Sequence, residues 1–93
     1  MITAIVFVRT ELGRVNEVAE ALAALPSVSE VYSVTGKVDL IALLRVRTNE
    51  AVAATVTDAV AHIPGIHSTE THIAFRSYSR HDLEAAFSVG LDS

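Results

Sequence analysis

Apolar and polar positions alternate in two distinct rhythms along the chain. Ile2 to Val8 (ITAIVFV) is apolar except for Thr3. A run this short and continuous predicts a strand covered on both faces. A break follows at Thr10 to Gly13. From Arg14 to Leu25 the apolar residues Val15, Val18, Ala19, Leu22 and Leu25 recur at helical spacing, with Glu17 and Glu20 opposite. This predicts an amphipathic helix that Pro26 ends. Val28 to Thr35 mixes polar and β-branched residues as an edge strand does, and Gly36 marks a short turn. Val38 to Val46 (VDLIALLRV) is the second continuous apolar run. Thr48 or Asn49 is placed to cap a second helix through Ile63, with Val52, Val56, Ala59, Val60 and Ile63 on one face. Pro64-Gly65 stops it, and Ile66 to Phe75 is a fourth, mixed strand.

The predicted order is β-α-β-β-α-β. Right-handed crossovers in each half then give an antiparallel sheet of order 4-1-3-2. Strands 1 and 3, the two continuous apolar runs, fall in the middle, and the mixed strands 2 and 4 fall at the edges. Strand composition and sheet position agree, which is the strongest argument for an α+β, ferredoxin-like βαββαβ fold. Both helices cover one face of such a sheet. The other face carries alternate residues of the central strands, Ile5 and Phe7 or Ile41 and Leu43 according to register. An apolar patch of that size is unusual on a monomer, so a homodimer packed through the open sheet face is expected. Residues 1–76 form the domain. Residues 77–93 read as an extension in which Ser79 caps a short helix carrying Leu83, Ala86 and Phe87, an apolar stripe that docks on the oligomer's partner subunit or on its own domain.

Composition narrows the function classes. At 93 residues the chain is one domain with a modest core, for which association is an advantage. It has no cysteine, which excludes disulfides and thiolate metal sites and fits a cytoplasmic location. Net charge is −4 with no cluster of Lys or Arg, which argues against direct nucleic-acid binding. No apolar run has the length of a membrane span. The histidines, His62, His67, His72 and His81, lack the i, i+4 spacing of a helical metal site. The serines sit in loops and edge strands without an elbow motif, and no catalytic residue, cofactor or metal is expected.

Two segments carry candidate binding chemistry. In Thr35-Gly36-Lys37-Val38-Asp39, Gly36 is expected at positive φ. Asp39 opens an otherwise apolar strand, where a carboxylate is costly unless paired. It reads either as a turn residue capping backbone N–H groups or as a carboxylate held for a cationic ligand group such as an α-ammonium. Pro64-Gly65-Ile66-His67-Ser68-Thr69-Glu70-Thr71 offers hydroxyls and edge-strand backbone groups that suit a ligand carboxylate, and equally describes an ordinary Thr-rich edge strand.

With ITAIVFVRT, VYSVTGKVDLIALLRV and IPGIHSTETHIAF in view, nearly the whole chain resembles the effector-binding (RAM) domain of the Lrp/AsnC feast/famine transcription regulators. The resemblance implies dimers formed by sheet packing, often assembled into a ring of four dimers. It also implies a small effector, usually an amino acid, held in clefts between dimers. Gly36, Lys37, Val38 and Asp39 would line one side, with Asp39 at the effector's amino end, and Ser68, Thr69 and Thr71 would lie near its other end. Full-length regulators carry a helix-turn-helix domain before the sensor. Here the first strand begins at Ile2, so the chain is expected to be a stand-alone sensor. It would act in transcription regulation through ligand-dependent assembly or by joining a full-length regulator. Two other readings stand beside this one: a cofactor-free dimeric enzyme, which the all-aliphatic helix faces disfavour, and an oligomerisation module without ligand.

Overall fold

A computed structural model describes residues 1–80. Four strands, β1 (Ile2–Thr10), β2 (Val28–Ser33), β3 (Leu40–Val46) and β4 (Ile66–Ile73), form one antiparallel sheet of order β2-β3-β1-β4. This is the expected 4-1-3-2 order, with the two aliphatic runs at its centre. The helix α1 (Val15–Ala23) links β1 to β2, and a second helix that begins as α2 (Asn49–Ala54) links β3 to β4. The helical reading of the tail rests on Leu83, Ala86 and Phe87 and lies outside the described residues.

The core forms between the helices and one sheet face. Ala4, Val6 and Val8 of β1 and Leu40, Ala42, Leu44 and Val46 of β3 are buried there, against Val18 and Leu22 of α1 and Val52 and Val60 of the second helix. Val18 and Leu22 stand four residues apart, so they occupy one stripe of α1. Glu17 in the first turn complements the helix dipole. The second helix is capped by Thr48, whose hydroxyl accepts from the Ala51 N–H at 3.1 Å. Its winding then changes to a wider π-type turn over Thr55–Ala59 and a 3₁₀ turn over Val60–His62. The segment is rich in β-branched residues, which lower helix propensity, and the Thr55 hydroxyl donates to the Ala51 carbonyl at 2.9 Å.

The strands around the β2–β3 connection are shorter than the apolar pattern suggests. Residues 34–39 lie outside regular strand, so the connection is a broad loop rather than a tight turn. Its base is held by the Val34 N–H donating to the Asp39 carbonyl at 3.0 Å and the Asp39 N–H donating to the Val8 carbonyl at 2.9 Å. Gly36 takes φ +109° in this loop, a conformation that side chains with a Cβ rarely adopt. Near the same end of the sheet, Gly65 is fastened against α1. Its carbonyl accepts from the Glu11 N–H at 2.7 Å, its φ is +95°, and a Cβ there would stand 2.9 Å from Val18 Cγ2.

Candidate functional site

Register decides what the open sheet face displays. Ile5 pairs with Leu43 and Phe7 with Ile41 across β1 and β3. Directly paired residues share a face, so all four apolar side chains stand together on the side away from the helices. Tyr32 of β2 joins them opposite Ile41 and is 48% exposed. On β4 the same face carries Ser68, Glu70 and His72, opposite Arg9, Phe7 and Ile5 in turn. The His72 ring meets Phe7 edge-on with centroids 5.2 Å apart, and its Nε2 lies 2.9 Å from Glu70 Oε2. Arg45 rims the face beside Thr3.

At one end of this face lies a cleft of about 280 Å³. The β2–β3 loop supplies Lys37 and Val38 to its wall, and the first half of β4 supplies Ser68, Thr69 and Glu70. Phe7 and Arg9 of β1 lie between these two walls. The two segments singled out in the sequence, about thirty residues apart, thus converge on one hollow. The β1–β4 register shifts between Arg9 and Thr10: Arg9 pairs with Ser68 and Thr10 with Ile66, leaving His67 as the extra residue. A bulge there re-aims the strand ends beside the cleft.

The remaining residues of the expected site are placed differently. Gly36 sits in the loop without lining the hollow. Asp39 is also outside the lining, and its Oδ2 accepts from the Thr10 N–H at 2.8 Å and from the Thr10 hydroxyl at 3.3 Å. Its carboxylate therefore ties the start of β3 to the end of β1. Strand alternation turns both threonines to the other face from Ser68, although Thr69 still reaches the lining of the cleft. Thr69 and Thr71 pair with Val8 and Val6 of the helix-facing side, and Thr71 instead borders a larger hollow of about 670 Å³ near Met1 and Phe75. That hollow holds none of the other expected site residues. Conversely, Phe7 and Arg9 line the cleft although neither segment contains them, and Glu70 does so although its segment was read for hydroxyls and backbone groups. The one signal available was Arg9 closing an otherwise apolar strand.

Charge is unevenly used around the sheet. Arg14 pairs with both Glu11, at 3.6 Å, and Glu17. The hydrogen bond to Glu17 raises its guanidinium pKa above the ordinary value, burial opposes this, and the charges of Glu17 and Glu11 add to it. Arg9 and Lys37 have no acidic partner among the described residues. The cleft therefore presents a guanidinium, an ammonium and a serine hydroxyl beside the Glu70 carboxylate and an aromatic ring, an excess of one positive charge suited to a ligand that carries an anionic group. Among the described residues no three metal-ligating side chains gather, and no helix is long and apolar enough to cross a membrane.

Known proteins share both the sequence pattern and the fold. The HTH-type transcriptional regulator FL11 of Pyrococcus horikoshii is 32% identical over 75 residues, covering 81% of this chain and 49% of its own length. The chain thus spans about half the length of the curated relatives it matches. A Thermus thermophilus protein of known structure, TTHA0845, is 48% identical with a TM-score of 0.81, and the match covers 86% of this chain and 100% of that one. The transcriptional regulator NMB0573 of Neisseria meningitidis, solved as a complex with L-Met, shares the fold at 16% identity with a TM-score of 0.76, over 85% of this chain and 53% of that one. The family profile described as "Lrp/AsnC ligand binding domain" matches residues 3–83. Nearly the full length of the sequence and the order of its sheet agree on the same assignment, and the chain belongs to the Lrp/AsnC ligand-binding domain family.

Proposed function

We propose that this chain is a regulatory sensor that binds a small metabolite of the amino-acid class in the cleft formed by Lys37, Val38, Phe7, Arg9 and Ser68, and that it does so as a homo-oligomer. The observation that carries this reading is the meeting of the β2–β3 loop and β4 at a hollow of about 280 Å³ with two cations on its wall. Its size is at the lower end of small-molecule sites. It is open to solvent at the rim of the apolar sheet face, so a second subunit is needed to close it. The L-Met complex of the Neisseria regulator supports an amino acid as the effector class by analogy of fold.

Oligomerisation would proceed through the open face, where Ile5, Phe7, Ile41, Leu43 and Tyr32 seek cover. An effector that contacts one assembly better than another shifts the equilibrium by that difference in affinity, and this is how the domain would pass a signal to a transcription regulator. In this scheme Asp39 acts at one remove: by holding Thr10 it fixes the loop that carries Lys37. Binding without turnover is the expected activity, because the buried side chains between sheet and helices are all aliphatic among the described residues.

The test is a thermal-shift and light-scattering survey of the purified chain against the twenty amino acids and their 2-oxo acids. A rise in melting temperature with a change in mass for one compound is the expected result. An oligomer indifferent to every compound would refute the sensor reading and leave an assembly module.

A further inference from the structure

Resting on that reading of the cleft, we infer that its effector is a small dicarboxylate rather than a neutral zwitterion. The chain as a whole is acidic, with eleven Asp and Glu against seven Lys and Arg, yet two of those cations meet at this one hollow. Lys37 is the sole lysine. It comes from the β2–β3 loop, and Arg9 comes from the end of β1. The loop forms one wall of the hollow and β1 lies between that wall and β4, so the two cations border the same space. Neither has an acidic partner among the described residues.

One carboxylate shares the hollow with the two cations, leaving one positive charge in excess. Glu70 is the one acid in the lining, and its Oε2 lies 2.9 Å from His72 Nε2. Asp39 Oδ2 receives the Thr10 N–H at 2.8 Å and lies outside the lining. A zwitterionic amino acid with an apolar side chain would satisfy one cation with its carboxylate. Its ammonium would meet Glu70, and the second cation would be left unmatched. In an open cleft water compensates for this. Once another subunit covers the hollow, an unpaired ammonium or guanidinium is expensive, and a second ligand carboxylate removes that cost. The arginine fork and the Ser68 hydroxyl suit one carboxylate, and the lysine, a flexible point charge, suits the other.

The chemistry is shared by acidic amino acids and by amine-free dicarboxylic acids, and the experiment separates them. Calorimetry on the full chain would compare glutamate with glutamine and aspartate with asparagine, pairs nearly equal in shape that differ by one charge. Succinate, glutarate and 2-oxoglutarate would serve as amine-free probes. The acid of each pair is expected to bind at least about tenfold more tightly than its amide, the scale of one charge-assisted contact. Lys37→Gln should abolish that discrimination, and Arg9→Gln should weaken every ligand by about tenfold or more. Circular dichroism would verify that both variants stay folded. If the amine-free acids equal glutamate, the α-ammonium is not read; if glutamate exceeds them, it is, and either result supports a dicarboxylate effector. Equal binding of acid and amide, or preference for an apolar amino acid, would overturn this inference while sustaining the sensor reading. Binding of no compound in either survey would overturn both.

Discussion

Leu43→Lys tests whether the open sheet face is an interface. Leu43 lies half-buried at the middle of that face, opposite Ile5 on β1 and Glu30 on β2. In an isolated chain the substitution is mild. The ammonium reaches solvent, and an oppositely charged neighbour across the strand contributes roughly 0.2–1 kcal/mol. In a face-to-face dimer the same lysine is enclosed. Each copy forfeits the rest of a leucine's burial, about 1 kcal/mol for a side chain already half covered. Each also loses hydration of an ammonium, which costs several kcal/mol before the chain snorkels outward. Two copies per dimer bring the penalty to at least about 4 kcal/mol, roughly a thousandfold in dissociation constant. Sedimentation equilibrium at micromolar concentration should therefore give a folded monomer. The volume-conserving Leu43→Met should keep the parent mass. A folded Leu43→Lys chain with the parent mass, or a parent chain that is itself monomeric, would refute the sheet-packing argument.

Two further substitutions probe how the cleft is held. Gly65→Ala forces a Cβ onto a residue at φ +95° and to within 2.9 Å of the buried Val18 side chain. Backbone strain and overpacking together should destabilise by about 2–5 kcal/mol, lowering the melting temperature by roughly 10 °C or more; an unchanged transition would show that α1 and β4 are not locked there. Asp39→Ala removes the acceptor of the Thr10 N–H, so chemical denaturation should register a loss of about 1–3 kcal/mol. Asp39→Asn, which keeps a carbonyl oxygen, should recover part of it. Complete loss of effector binding at unchanged stability would instead make Asp39 a direct ligand contact.

Much of the architecture was legible in the sequence because composition and topology constrain each other. Continuous aliphatic runs need cover on both faces, mixed strands tolerate an edge, and right-handed crossovers leave one sheet order that satisfies both. Thr48 and Pro26 bounded helices for local reasons, a hydroxyl that accepts a free N–H and a ring that lacks one. The extent of the β2–β3 loop was not visible, since Val34 and Val38 extend the strand pattern although residues 34–39 leave the regular strands.

Element order, the central place of β1 and β3 and the two segments that approach the cleft follow from the residue pattern. Which side chains meet there depends on the folded sheet. In a strand apolar at nearly every position, the period of two carries no marker of which face is which. Cross-strand hydrogen bonding sets that choice, and it put Ile5, Phe7, Ile41 and Leu43 together on the open side. The same alternation gathered Ser68 and Glu70 with Arg9 and sent Thr71 to the opposite face. Asp39 was open to two readings because its partner, Thr10, is 29 residues away in the chain. A contact between residues so far apart has no local sequence signal, and folding alone brings its two halves together.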